Sequence, residues 1–288
     1  MWGGMYGDLT VYEAIDRFIE NGFFAMEYPE DFTTDYLKLP REEFLAEAQK
    51  IHDYAAIRHF EISQGHLVFK HPFLGDEPLK LLKDNIDFLY TIGVKNMVLH
   101  VSCYERGLSL KELREKYYSA QVSRLKELIE HIGDRDIVLC LENVLQNANT
   151  EKSELILDYI RDCDNSPKLG ICLDTGHLNR SNGLEHISQT PAEFIENSDG
   201  RIKALHINSN TGKVDQHLFP YSGKEGVLPD WEGFIKALNK SGYSGLFNYE
   251  VPGENKQVPL KIRDLKMRYA KELFVLLTDE QTFNAGDK

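Results

Sequence analysis

Apolar residues follow two alternating patterns along this chain. Where they recur every three or four residues they predict amphipathic helices, and short unbroken apolar runs predict buried strands. A loop-like start, Met1–Gly7, leads into the first helix. There Thr10-Val-Tyr-Glu13 has capping-box spacing, Val11, Ala14, Ile15, Phe18 and Ile19 share one face, and Asn21-Gly22 is the stop. The unit then repeats. Strands are predicted over 24–28, 57–62, 97–101, 137–142, 169–173, 202–207 and 246–250. Helices near Pro40–Tyr54, Pro78–Ile92, Leu110–Ile132, Ser153–Cys163, Pro191–Asn197 and Trp231–Ser241 separate them, and Leu260–Leu277 forms a last helix.

Strict alternation of strand and helix means an α/β fold with a parallel sheet and helical crossovers. A closed (β/α)8 TIM barrel is its natural form. Only seven strands are predicted, so the first barrel strand is short or missing. Either Met1–Met5 supply a stub or the strand lies upstream of this sequence. Without it two strand edges would need cover, from the N-terminal loop or from a partner subunit in a homo-oligomer. The alternative is a doubly wound open sheet, but no GxGxxG turn follows any strand. No linker interrupts the pattern, so residues 1–288 are expected to form one domain, with 278–288 a frayed tail.

Composition narrows the function classes. The net charge is −13, from 33 basic and 46 acidic residues, which repels polyanions and makes nucleic acid an unfavoured partner. No apolar run approaches the roughly 18 residues of a membrane span, so no membrane association is expected. Cys103, Cys140, Cys163 and Cys172 show no CxxC pairing and read as reduced thiols, with Cys140 and Cys172 inside apolar runs. The N-terminus lacks the basic and apolar regions of a secretory signal, which makes the cytoplasm the expected location.

The chemistry gathers at the ends of the predicted strands. Leu169–Leu173 ends in Asp174, with His177 after a glycine-containing turn. In isolation Asp174 reads equally well as a helix cap. Other runs end in the same way: Glu27, His66, His100, Glu142, His206 and Glu250 lie at or just past strand ends, and Asp215 and His217 follow in the seventh loop. In a barrel all of these face one rim. Burying so many carboxylates and imidazoles is costly without a cation. Mixed nitrogen and oxygen donors suit Zn²⁺, Mn²⁺, Fe²⁺ or Co²⁺, with Zn²⁺ or Mn²⁺ favoured over an oxygen-preferring ion such as Mg²⁺.

These residues resemble those of the xylose isomerase-like TIM-barrel superfamily, which holds sugar and sugar-phosphate isomerases and epimerases and also endonuclease IV. The resemblance spans nearly the whole chain, and Asp174-Thr-Gly-His177 is its most specific piece. Likeness to the epimerase branch implies a metal held by Glu142, Asp174, His206 and Glu250. Likeness to endonuclease IV implies three metals. The first would be held by His66, His100 and Glu142, the second by Glu142, Asp174, His206 and Glu250, and the third by His177, Asp215 and His217. His71 competes with His66 for its place. The seventh loop, with Asp215-Gln-His217, Pro220 and Asp230-Trp231, is similar to that of uncharacterised isomerase-type proteins, but Pro220–Gly226 departs from their usual Pro-Gly-x-Gly.

The resemblance thus implies a metal-dependent isomerase or epimerase acting on a small sugar or sugar phosphate. Glu142 and Glu250 would move the proton beside a polarised carbonyl, and His177 would bind substrate. Lys213, Lys224 and Arg180 are candidates for a phosphate or hydroxyl group, and Glu27 is either a further rim residue or an exposed surface carboxylate. The alternative is an endonuclease IV-like phosphodiesterase with a multi-zinc site. Scattered aromatics (Trp2, Tyr6, Phe69, Phe219, Tyr221) without an accompanying basic run give that reading little of a nucleic-acid surface. A non-catalytic sugar-binding barrel would not need the ligand set.

Overall fold

The structure, a computed structural model, describes residues 1–68, 75–101, 105, 107–144, 150, 152–183, 189–222, 229–251 and 258–279, without the side chains of 110 and 180–183. Six parallel strands form one sheet in sequence order: β1 Ala25–Tyr28, β2 Glu61–His66, β3 Asn96–Leu99, β4 Val138–Glu142, β5 Leu169–Asp174 and β6 Ile202–His206. The helices are α1 Val11–Glu20, α2 Glu30–Thr33, α3 Arg41–Ile57, α4 Asp76–Ile92, α5 Leu110–Ile132, α6 Ser153–Asp162, α7 Thr175–Gly183, α8 Pro191–Glu196, α9 Trp231–Ser241 and α10 Leu260–Thr278. Thr10 and Glu13 make the predicted capping box on α1, and Ser109–Glu112 and Thr190–Glu193 make two more.

Two short segments close the ring. Trp2 bridges Glu27 of β1, and Tyr249 bridges Ile207 just past β6, both in parallel. The Trp2 N–H donates to the Tyr249 carbonyl at 3.0 Å, and the Glu27 N–H donates to the Met1 carbonyl at 2.9 Å. Met1–Trp2 therefore stands between β1 and residues 248–250 and completes a (β/α)8 barrel. The short first strand expected from the sequence is this stub. Residues 246–250, expected as a regular strand, contribute only the Tyr249 bridge and its flanking hydrogen bonds.

The second strand lies four residues later than its predicted start. Helix α3 runs on to Ile57 and ends in a Schellman-type stop, with His59 in the left-handed region at φ 54° and the Phe60 N–H donating to the Ala55 carbonyl at 2.9 Å. His66 is consequently the last residue of β2 rather than a loop residue.

Alternation along the strands sets the interior. Leu139, Leu141, Ile171, Leu173 and Leu205 face the helices and belong to the main core, while Val98, Cys140, Cys172 and Ala204 form a separate small-residue cluster inside the ring. Two residues beyond each of those four stand His100, Glu142, Asp174 and His206. The inward parity that packs the barrel axis thus delivers an ionisable group to the rim on four successive strands. Among the described residues no helix is long and apolar enough to cross a membrane.

Removing residues 1–4 unpairs both neighbouring edges. Such a truncation is expected to lower the thermal midpoint and to self-associate in size-exclusion chromatography. A truncated chain as stable and monodisperse as the parent would contradict this closure.

Candidate metal centre

The rim brings the sequence-predicted residues into three groups, two of which share Glu142. In each, one ligand atom per residue lies within 4.8 Å of the others: His66, His100 and Glu142; Glu142, Asp174, His206 and Glu250; and His177, Asp215 and His217. Cys172 makes a further grouping with Glu142 and His206. His66 Nε2 is 3.2 Å from His100 Nε2, which is 2.8 Å from Glu142 Oε2. His206 Nδ1 lies 3.4 Å from Glu142 Oε2 and 3.2 Å from Glu250 Oε2. His177 Nε2 and His217 Nε2 lie 3.1 and 3.3 Å from Asp215 Oδ2. The competitor His71, together with Lys224 and Phe69, falls outside the described residues, and Arg180 is described only in its backbone.

The hydrogen bonds fix which ring nitrogens can bind a cation. The Nδ1 atoms of His66, His177 and His217 donate to the carbonyls of Leu67, Asn143 and Glu250 at 2.7, 2.9 and 3.1 Å, leaving each Nε2 lone pair turned into the site. His206 Nε2 instead donates to Glu27 Oε1 at 3.0 Å, leaving Nδ1 inward. His206 Nδ1 and Glu250 Oε2 are buried without hydrogen-bond partners although they face each other. A lone pair against a carboxylate oxygen is repulsive unless a proton or a metal cation lies between them. The donor set therefore fits a divalent metal.

Asp174 divides two duties between its oxygens. Oδ1 accepts the His177 N–H at 2.6 Å and caps α7, while Oδ2 accepts Asn208 Nδ2 at 2.8 Å and faces the cluster. Helix α7 thus begins directly after Asp174, where a turn was expected. Gly176 permits this approach, since a Cβ there would sit 1.7 Å from Asn208 Oδ1. Asn143 supports the same residue from the side, accepting the Asp174 N–H at 2.7 Å and donating to its carbonyl at 2.8 Å.

Several supporting residues escaped the sequence reading, although alternation marks some of them. Gln64 and Asn248 lie two residues before His66 and Glu250 and share their parity. Glu27 is not a surface carboxylate, being 0% exposed beneath His206. Lys213 is exposed, and Tyr6 and Phe219 are core residues rather than a stacking surface. Trp2 packs edge-on against the rings of His66 and His206, with centroids 6.0 and 6.3 Å away. A cavity of about 600 Å³ at the opposite rim, near Ile202, Lys203 and Tyr243, lies at the strand starts and holds none of these groups.

Without a cation the cluster holds protons. Burial pushes the Asp174 carboxyl up to about 8, with the charge of His177 opposing. Burial works to lower His66, but the hydrogen bond and charge of Glu142 outweigh it and lift the imidazole to about 9. Burial likewise opposes charge at His217, yet Asp215 and Glu250 raise it to about 11. Burial disfavours the ionised forms of Glu142 and Glu250, but neighbouring histidines hold both well below the usual carboxylate range.

The ordinary values are 3.8 for Asp174 and 6.5 for His66, so both groups are raised in the folded state. Their stabilisation is full below the ordinary value and is lost as pH climbs through the folded one. The metal-free protein should accordingly lose thermal stability as pH rises from about 6.5 to about 9. Saturating zinc should flatten that fall, because a cation replaces the protons. Thermal melts with chelator and with zinc test this, and a metal-free midpoint that rose across the window would contradict it.

Comparison with known proteins places the fold. Protein y4fM of Sinorhizobium fredii is 26% identical over 182 residues, covering 63% of this chain and 55% of that protein. The chain thus spans about half of that relative's length. A probable endonuclease 4 of Metamycoplasma arthritidis is 25% identical over 195 residues, covering 63% and 68%. Among solved structures, a D-tagatose 3-epimerase-like protein superposes with a TM-score of 0.72 at 20% identity, covering 98% of both chains. The IolI protein with a zinc atom gives 0.70 at 18% identity, covering 96% and 95%. At such identities the structural likeness concerns the fold. The sequence profile of one family matches residues 15–273, and the chain belongs to that family, the xylose isomerase-like TIM barrels.

Proposed function

We propose that the chain is a divalent-metal-dependent isomerase or epimerase acting on a small polyol, ketose or sugar phosphate. The observation that carries this reading is the convergence of Glu142, Asp174, His206 and Glu250 around an inward lone pair that has no hydrogen-bond partner. A fold shared over nearly its whole length with a D-tagatose 3-epimerase-like protein supports it. Zn²⁺ or Mn²⁺ suits the donors. A cation held there supplies Lewis-acid polarisation of a substrate oxygen beside the C–H bond to be broken.

The chain's own residues then divide the proton work. Glu250, with 13% of its side chain exposed, is the carboxylate open to the mouth of the barrel and takes the proton. Glu142, at 1%, is tied between His100 and His177 and serves as the second, more constrained carboxylate. His177 lies between Glu142 and Asp215, where it meets a substrate hydroxyl or carbonyl oxygen.

A second reading, phosphodiester hydrolysis at a three-cation centre, is favoured by one specific observation: the His66–His100 group shares Glu142 with the first set, and the His177–Asp215–His217 group adjoins it. The relative named probable endonuclease 4 points the same way. The net charge of −13 opposes a polynucleotide substrate.

Elemental analysis of the purified protein separates the two. One cation per chain agrees with proton transfer, and three would favour hydrolysis. In D₂O the parent is expected to exchange a substrate C–H across a ketose and sugar-phosphate panel and to leave abasic-site DNA intact. Glu250→Gln should slow that exchange by about 10²–10⁴-fold. Exchange unaffected by this substitution, or cleavage of the DNA without exchange, would overturn the proposal.

A further inference from the structure

His206 is oriented unlike the other histidines of the rim. His66, His177 and His217 lean on backbone carbonyls, which any strand end supplies. His206 leans through Nε2 on the carboxylate of Glu27. That carboxylate is fully buried and fully engaged: Oε1 accepts from His206, while Oε2 accepts from Gln64 Nε2 at 3.0 Å and from Asn248 Nδ2. Gln64 and Asn248 are themselves 1% and 0% exposed. Three strand positions, on β1, on β2 and beside Tyr249, are thus given to polar groups whose shared focus is Glu27. An apolar residue there would avoid the cost of a buried carboxylate. A carboxylate behind a metal-binding imidazole fixes its tautomer and raises its basicity.

We propose that Glu27, held by Gln64 and Asn248, is a positioning residue that keeps the His206 proton on Nε2, aims Nδ1 at the cation site shared with Glu142, Asp174 and Glu250, and thereby sets the affinity of that site. This rests on reading those four residues as a metal site. Glu27 touches neither the proposed cation nor the substrate. Its effect passes through the imidazole, so metal affinity and His206 tautomer report it more directly than turnover does.

The test uses the full chain, zinc alone and a competing chromophoric chelator. Glu27→Gln preserves size but cannot accept from three donors at once. It is expected to weaken zinc binding by about 10–100-fold. In ¹⁵N-histidine spectra of the metal-free protein, recorded at a pH high enough for the His206 ring to be neutral, the signals of the Nε2-protonated tautomer should give way to a mixture of tautomers. A merely structural role would lower the melting midpoint and leave both readouts unchanged. Zinc affinity within about twofold of the parent would overturn the proposal. Should Glu27→Gln fail to fold, Gln64→Ala carries the test, with a several-fold weakening expected and parent-like affinity overturning it. A parent that bound no zinc would overturn the metal reading itself, whereas a zinc-binding parent matched by Glu27→Gln would overturn only the positioning role.

Discussion

Like charges buried together are the constraint on which the rest of this molecule depends. Glu27, Glu142 and Asp174 are at most 1% exposed, Glu250 and Asp215 lie beside them, and five histidines are interleaved among them. Water cannot dissipate their field. In the metal-free state protons do so: burial raises Asp174 to about 8, and Glu142 lifts His66 to about 9 against the effect of burial. Cations held at the proposed site would do so in a loaded state. Protons and cations would therefore compete for one set of lone pairs, and the hydrogen bonds to Leu67, Asn143, Glu250 and Glu27 decide which lone pairs are offered.

The barrel makes such a concentration of charge buildable. Strand alternation sends every second residue to the axis, where Val98, Cys140, Cys172 and Ala204 are small enough to pack in one layer. The next inward position on each of those strands carries the ionisable group, and apolar neighbours at the intervening positions anchor the strand to the helices. The cost of the rim is thus offset by a core whose described residues run from Met1 to Leu277. Asp174 shows the economy of the arrangement, since one carboxylate both starts helix α7 and faces the cluster.

Much of this was legible in the sequence. The apolar runs located β3 to β6 to within a residue or two, and the ionisable residue at or near the end of each run stood out against the apolar residues before it. Where the reading slipped, a local pattern was ambiguous. Ile57 belongs to the last turn of α3 and not to a strand, and only the left-handed His59 marks the break. Met1–Trp2 and residues 248–250 pair through so few hydrogen bonds that no alternation can develop. Glu27 was undecidable because a terminal strand glutamate reads the same whether it faces solvent or His206. Gln64 and Asn248 carry the correct parity, but their importance lies in contacts with residues 37 and 221 positions away, which no local pattern encodes.

Anomalous diffraction from zinc-loaded crystals bears most directly on the claim that the rim is a metal centre. The prediction is a peak about 2.0–2.2 Å from His206 Nδ1 and from carboxylate oxygens of Glu142, Asp174 and Glu250. An empty position between those four side chains in a crystal saturated with zinc would contradict it.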